Sequence, residues 1–144
     1  MMAGDLVVAT GAGCGEGAEA FYSPGLEHAA ATPELVDWAC GAEGIEATRH
    51  RGPIWTTAAL LAEGDAEIGV WHQAGYLAVD METATTLAVA EHFGMQRLSL
   101  LVVFDNPREG AHLAMTEHDK EEARVQGEMA MRGLVFQLIE SRRA

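Results

Sequence analysis

The chain has 144 residues, and 9 basic side chains against 22 acidic ones give it a formal charge of −13. A surface of that sign repels nucleic acid and anionic membranes, which excludes both as partners on electrostatic grounds. Its length and 49% hydrophobic content allow one domain with a real core and exclude disorder as the main state.

Taken in chain order, residues 6–10 (Leu-Val-Val-Ala-Thr) form the first expected strand. Gly11-Ala12-Gly13-Cys14-Gly15-Glu16-Gly17 follows. Glutamate stands at position 16 where a dinucleotide fingerprint needs its third glycine, and no helical pattern comes next, so this segment reads as a flexible loop. Thr32-Pro33-Glu34 is a helix start with proline in the first turn, and Leu35, Val36, Ala39 and Cys40 supply its apolar face. A second strand is expected over 45–50 and a third over 76–81. A helix from Thr83 to Phe93 comes next, closed by Gly94, and then a strand over 98–104 that is apolar almost throughout and reads as buried on both faces. Residues 115–138 alternate Glu121, Glu122, Arg124, Glu128 and Arg132 with Ala123, Val125, Met129, Leu134, Val135 and Leu138. That is an amphipathic helix, and Arg142 and Arg143 at its end complement the helix dipole.

No run of about 18 apolar residues offers a membrane span. Met1 to Asp5 lacks the charged start and apolar core of a signal peptide. Cys14 and Cys40 in a chain without such a signal read as reduced thiols, which places the chain in the cytoplasm. His112 and His118, with Glu117 and Asp119 nearby, match no metal-ligand spacing and read as solvated residues, so no metal site is expected.

Two acids carry the chemical interest. Glu82 falls where the 76–81 strand passes into a helix, and Asp105 falls where the 98–104 strand ends. Open α/β sheets build ligand sites at such strand ends. A single acid in this position is commonly only a helix cap or a solvated loop residue. With a right-handed crossover and parallel strands, however, Glu82 and Asp105 share one edge of the sheet and one cleft. The expected architecture is α/β, three-layer αβα, with a mixed, mainly parallel sheet.

Val79-Asp80-Met81-Glu82-Thr83-Ala84 resembles the Glu-Met-Glu-Ala signature of the purine nucleoside phosphorylase and uridine phosphorylase family, which also contains the methylthioadenosine/S-adenosylhomocysteine nucleosidases. Three further segments agree in order. Residues 4–12 are similar to the family's central strand and the loop after it. Ile54-Trp55-Thr56-Thr57 is similar to the strand before its base-binding loop, and Val102-Val103-Phe104-Asp105 resembles its valine-rich strand ending in Ser-Asp. The resemblance spans residues 1–144 as one domain corresponding to the C-terminal portion of the family's fold. The portion lacking is the one that holds the family's glycine-rich first loop, its phosphate-binding arginines and the water-activating glutamate of the nucleosidases.

The resemblance implies cleavage of the N-glycosidic bond of a purine nucleoside, by phosphorolysis or hydrolysis, as one half of a split or heteromeric glycosyl-transferring enzyme. Asp105, held protonated by a closed site of Val103, Phe104 and Met81, would donate to purine N7. Glu82 would accept hydrogen bonds from the ribose hydroxyls, Met81 would pack beneath the sugar, Leu60 would line the base pocket, and Asp80 belongs to the same substrate-binding motif. Phosphate is a possible co-substrate and no cofactor is implied. The implied partners are the nucleoside and a complementary subunit, a further copy of the chain, or both. Phe104 replaces the family's serine, Asp80 its first glutamate, and Ala58 a common aspartate. The alternatives are a noncatalytic nucleoside-binding or partner subunit of the same fold, and a structural α/β domain whose acids are incidental.

Overall fold

The computed structural model describes residues 1–15, 17–59, 61, 63–106, 108 and 115–142. Glu16, Leu60, His112 and Arg143, all singled out by the sequence, lie outside the described residues. The strands are β1 (Leu6–Cys14), β2 (His28–Ala30), β3 (Arg49–Thr56), β4 (Val79–Asp80) and β5 (Ser99–Val102). The helices are α1 (Glu19–Tyr22), α2 (Pro33–Gly41), α3 (Asp65–Gln73), α4 (Thr83–His92) and α5 (Glu117–Ser141). Among the described residues no helix is long and apolar enough to cross a membrane.

The five strands form one mixed sheet in the order β2-β1-β3-β4, with β5 also on β1. β2 runs antiparallel to β1 and β4 parallel to β3, with Trp55 opposite Val79 and Thr56 opposite Asp80. Leu6 N–H donates to Thr48 O at 2.8 Å and Gly15 N–H to Thr56 O at 3.0 Å, so β1 and β3 advance in the same direction. β5 runs the other way along β1. Val103 accepts from Gly4 N–H at 2.9 Å and donates to Asp5 O at 2.8 Å, and Asp5 N–H reaches back to Met2 O at 3.1 Å. Two residues opposite one, with Gly4 at φ +83°, make an antiparallel glycine bulge behind a tight turn. The 76–81 and 98–104 strands, expected to run parallel, therefore run in opposite senses. β4 pairs with β3 and β5 with β1, because an apolar run states that a strand is buried without stating its neighbour.

The chain divides into two compact units. The first comprises Met1–Val8, Trp38–His50 and Leu100–Ala144, and the second Ala9–Asp37 and Arg51–Ser99. In the first, α5 crosses the β1 turn at two glycines. A Cβ on Gly4 would lie 2.1 Å from Ala123 O, and one on Gly127 would lie 2.4 Å from Gly4 O. Leu134 is buried on the same helix, while Val125, Met129, Phe136 and Ile139 stay exposed on it. α5 begins with a capping box between Thr116 and Asp119, which satisfies two otherwise orphaned groups. Arg49 Nη1 donates to the carbonyls of Ala39 and Ala42 at 2.9 and 2.8 Å, closing the end of α2.

The second unit corrects the flexible-loop expectation for the glycine run. Gly11 to Cys14 belong to β1, and Gly15 continues its pairing with β3. Alternate positions share one face of a strand, and on that face only glycine fits. A Cβ would lie 2.4 Å from His28 Nε2 at Gly11, 2.5 Å from the Trp55 ring and the Tyr76 hydroxyl at Gly13, and 2.4 Å from Thr56 O at Gly15. The space is filled by Trp55, which stacks on Trp71 with ring centres 5.9 Å apart and meets Tyr76 edge-on at 5.3 Å. β3 runs over Arg49–Thr56 rather than 45–50, with Gly52, Ile54 and Thr56 buried at alternate positions. Helix α4 ends as expected. Gly94, at φ +65°, donates to Glu91 O at 2.9 Å and Met95 N–H to Ala90 O at 2.8 Å, which is a Schellman closure. β5 is half-buried along its length, not buried on both faces.

Candidate active site

At the β4–α4 junction one carboxylate is held by three donors, and the next accepts from none of the described residues. Asp80 Oδ1 accepts from Thr56 Oγ1 at 2.7 Å. Its Oδ2 accepts from Thr83 N–H at 3.0 Å and from the Thr83 hydroxyl at 2.5 Å. Thr83 thereby spends its only hydroxyl proton on Asp80, so the 2.8 Å contact with Ser99 Oγ is donated by the serine. Thr56 Oγ1 in turn accepts from Ala84 N–H at 3.0 Å. Glu82 sits at the N-cap of α4 with φ −131° and ψ −24°, and its side chain makes no capping bond. It is exposed, and no described residue hydrogen-bonds its carboxylate.

Beside this junction α1 is tied to α4. Thr85 Oγ1 donates at 3.0 Å to Glu19 Oε2, and Glu19 is only 4% exposed. Burial, and then the Glu19 charge, push the Cys14 thiol up from its ordinary range. Thr56, Thr83, Ser99, Glu19 and Thr85 were not singled out by the sequence as site residues. The one available signal is the clustering of Thr56, Thr57, Thr83, Thr85 and Thr86 at the ends of apolar segments, where hydroxyls commonly satisfy helix termini.

Asp105 belongs to the other unit, so neither compact unit contains both acids. It follows β5 and is exposed. Of the three residues expected to close it off, Val103 is buried, whereas Phe104 is 54% and Met81 41% exposed. Arg124 is what holds this segment, with its guanidinium 5.4 Å from the Phe104 ring centre and Nε donating to Phe104 O at 3.1 Å. Asn106 Nδ2 donates to Met1 O at 2.9 Å. His118 forms an exposed pair with Glu122 at 3.3 Å along α5, consistent with a solvated side chain.

The family model described as the Phosphorylase superfamily matches residues 1–140. The chain belongs to the phosphorylase superfamily. A guanosine phosphorylase of Halorubrum lacusprofundi is 36% identical to this superfamily member over 110 residues, which are 74% of this chain and 44% of that protein. The crystal structure of uridine phosphorylase from Vibrio fischeri ES114 complexed with 6-hydroxy-1-naphthoic acid superposes with a TM-score of 0.77 at 24% identity, over 97% of this chain and 58% of that one. A second structure of that uridine phosphorylase gives 0.73 at 23% identity, over 93% and 56%. These likenesses establish the α/β nucleoside phosphorylase fold. The chain spans about half the length of the relatives it matches, between 44% and 58%.

Proposed function

We propose that this chain supplies the sugar-holding and base-protonating groups for cleavage of a purine nucleoside's N-glycosidic bond, together with a complementary portion of the phosphorylase fold. The observation that carries the proposal is the Glu82 carboxylate, exposed and without a partner among the described residues, beside an Asp80 held by three donors. A free carboxylate accepts hydrogen bonds from the two vicinal ribose hydroxyls, each charge-assisted and worth about 1.5–3 kcal/mol, and Met81 offers an apolar surface for the sugar. As the bond from C1′ to the purine breaks, its electron pair moves into the base, and Asp105 donates a proton at N7 so that the base leaves neutral. An oxygen of phosphate as co-substrate, or of water, then bonds to the ribosyl carbon, and the proton the nucleophile gives up restores the Asp105 carboxyl directly or through solvent. The guanosine phosphorylase relative supports a purine over a pyrimidine.

The complementary portion is assigned to the outer face of α5. Val125, Met129, Phe136 and Ile139 recur there at helical spacing and are exposed, which supports this placement. The chain's relatives carry roughly as much again of the fold. A noncatalytic nucleoside-binding role is the second reading, favoured by the exposure of Asp105. Chromatographic assay of base release from guanosine, with and without phosphate, decides between them. The chain alone is expected to be nearly inert, and the chain with its complementary portion to release guanine. Binding without release in the complete assembly would establish the second reading instead, and robust turnover by the isolated chain would overturn the need for a complement.

A further inference from the structure

We infer that Asp80 is a positioning residue that never touches the nucleoside: it takes over the capping of α4 so that Glu82 is left free for the sugar. This rests on the reading of Glu82 given above. A helix start presents N–H groups that need acceptors, and the residue at the N-cap ordinarily supplies one from its own side chain. Here the N-cap is Glu82, and its side chain does not do so. The Thr83 N–H is taken by Asp80 Oδ2 and the Ala84 N–H by Thr56 Oγ1. Both acceptors are held in turn, because Thr56 also donates to Asp80 Oδ1 and the Thr83 hydroxyl is fixed between Asp80 and Ser99. With three protein donors on its two oxygens, Asp80 has little capacity left for a ribose hydroxyl, whereas Glu82 keeps all of its own.

The test combines amide hydrogen exchange with weak-binding NMR titrations of guanosine into the full chain and its Asp80→Ala, Thr56→Val, Glu82→Ala and Asp80→Ala/Glu82→Ala variants. Asp80→Ala and Thr56→Val are expected to speed exchange at Thr83 and Ala84 while leaving α5 unchanged, and to weaken guanosine binding about tenfold. Glu82→Ala should weaken binding by a similar factor without changing exchange at α4. The double variant should bind no worse than Glu82→Ala, since both changes act through one carboxylate. Losses that multiply in the double variant would mean that Asp80 contacts the nucleoside, which overturns the inference. So would Asp80→Ala and Thr56→Val proteins that loosen α4 yet bind normally, and in both cases the reading of Glu82 stands. Normal binding by Glu82→Ala, or none by the unaltered chain, overturns that reading and the inference with it.

Discussion

Two places in this molecule share one local plan, an apolar strand followed by an acid, and they differ in how much of their surroundings the chain provides. At the β4–α4 junction Thr56, Thr83 and Ser99 fix Asp80 and leave Glu82 open. Past β5, Asp105 is exposed and Phe104 beside it is 54% exposed. An acid after a strand is thus not one kind of feature. What decides its use is whether neighbouring donors consume the carboxylate, leave it free, or have yet to be brought to it.

Under the proposed function, the sharpest separation comes from substituting each acid in the chain combined with its proposed complementary portion. Asp105→Asn should lower base release by about a hundredfold, the scale for losing a general acid, with little change in nucleoside binding. Glu82→Ala should weaken both rate and binding, because its contacts exist before and during bond cleavage. Steady-state kinetics read the split, and an unaffected Asp105→Asn enzyme would remove that residue from the chemistry.

Next in size is Gly13→Val. The added atoms meet Trp55 and Tyr76 within 2.5 Å, so urea unfolding should show a loss of about 2–3 kcal/mol. Gly41→Ala, where nothing lies within 4 Å, should cost nothing measurable. Equal tolerance at both positions would revive the flexible-loop reading of the glycine run.

That glycine run shows where the sequence was silent. Glycines at 11, 13 and 15 carry no hydrophobic period, and the reason for them lies in His28, Trp55 and Tyr76, which are distant in the chain. The Asp80 network was hidden in the same way, since Thr56 is 24 positions from Asp80 and Ser99 is 16 from Thr83. By contrast, the strand-to-helix passage at Glu82, the Gly94 closure and α5 were legible because each depends on residues within a few positions. The sense of β5 was not, because it is set by the Gly4–Asp5 bulge against Val103.

On the less complete side, Met129→Glu with Phe136→Glu should leave the chain folded and weaken its association with the complementary portion at least about tenfold, as read by sedimentation. Unchanged association would move the interface off α5. The smallest effect is expected at the start of that helix. Thr116→Ala should cost about 1 kcal/mol by thermal melting. The Thr116 hydroxyl, and then its backbone N–H, hold the Asp119 carboxyl below its usual range. A depressed carboxyl contributes stability that is present above its unfolded pKa and lost as pH falls through the folded one. The capping box should therefore be intact at neutral pH and fail only in acid below the ordinary aspartate range, and this acid-side loss should shrink in the Thr116→Ala protein, which keeps only the backbone N–H bond to Asp119.

The claim on which the rest depends is that Glu82, and not Asp80, receives the sugar. A crystal structure of the chain with guanosine tests it directly. The ribose 2′- and 3′-hydroxyls are expected on the Glu82 carboxylate, with Asp80 still bonded to Thr56 and Thr83. Ribose hydroxyls on Asp80 with its threonine bonds broken, or a nucleoside seated away from the β4–α4 junction, would contradict it.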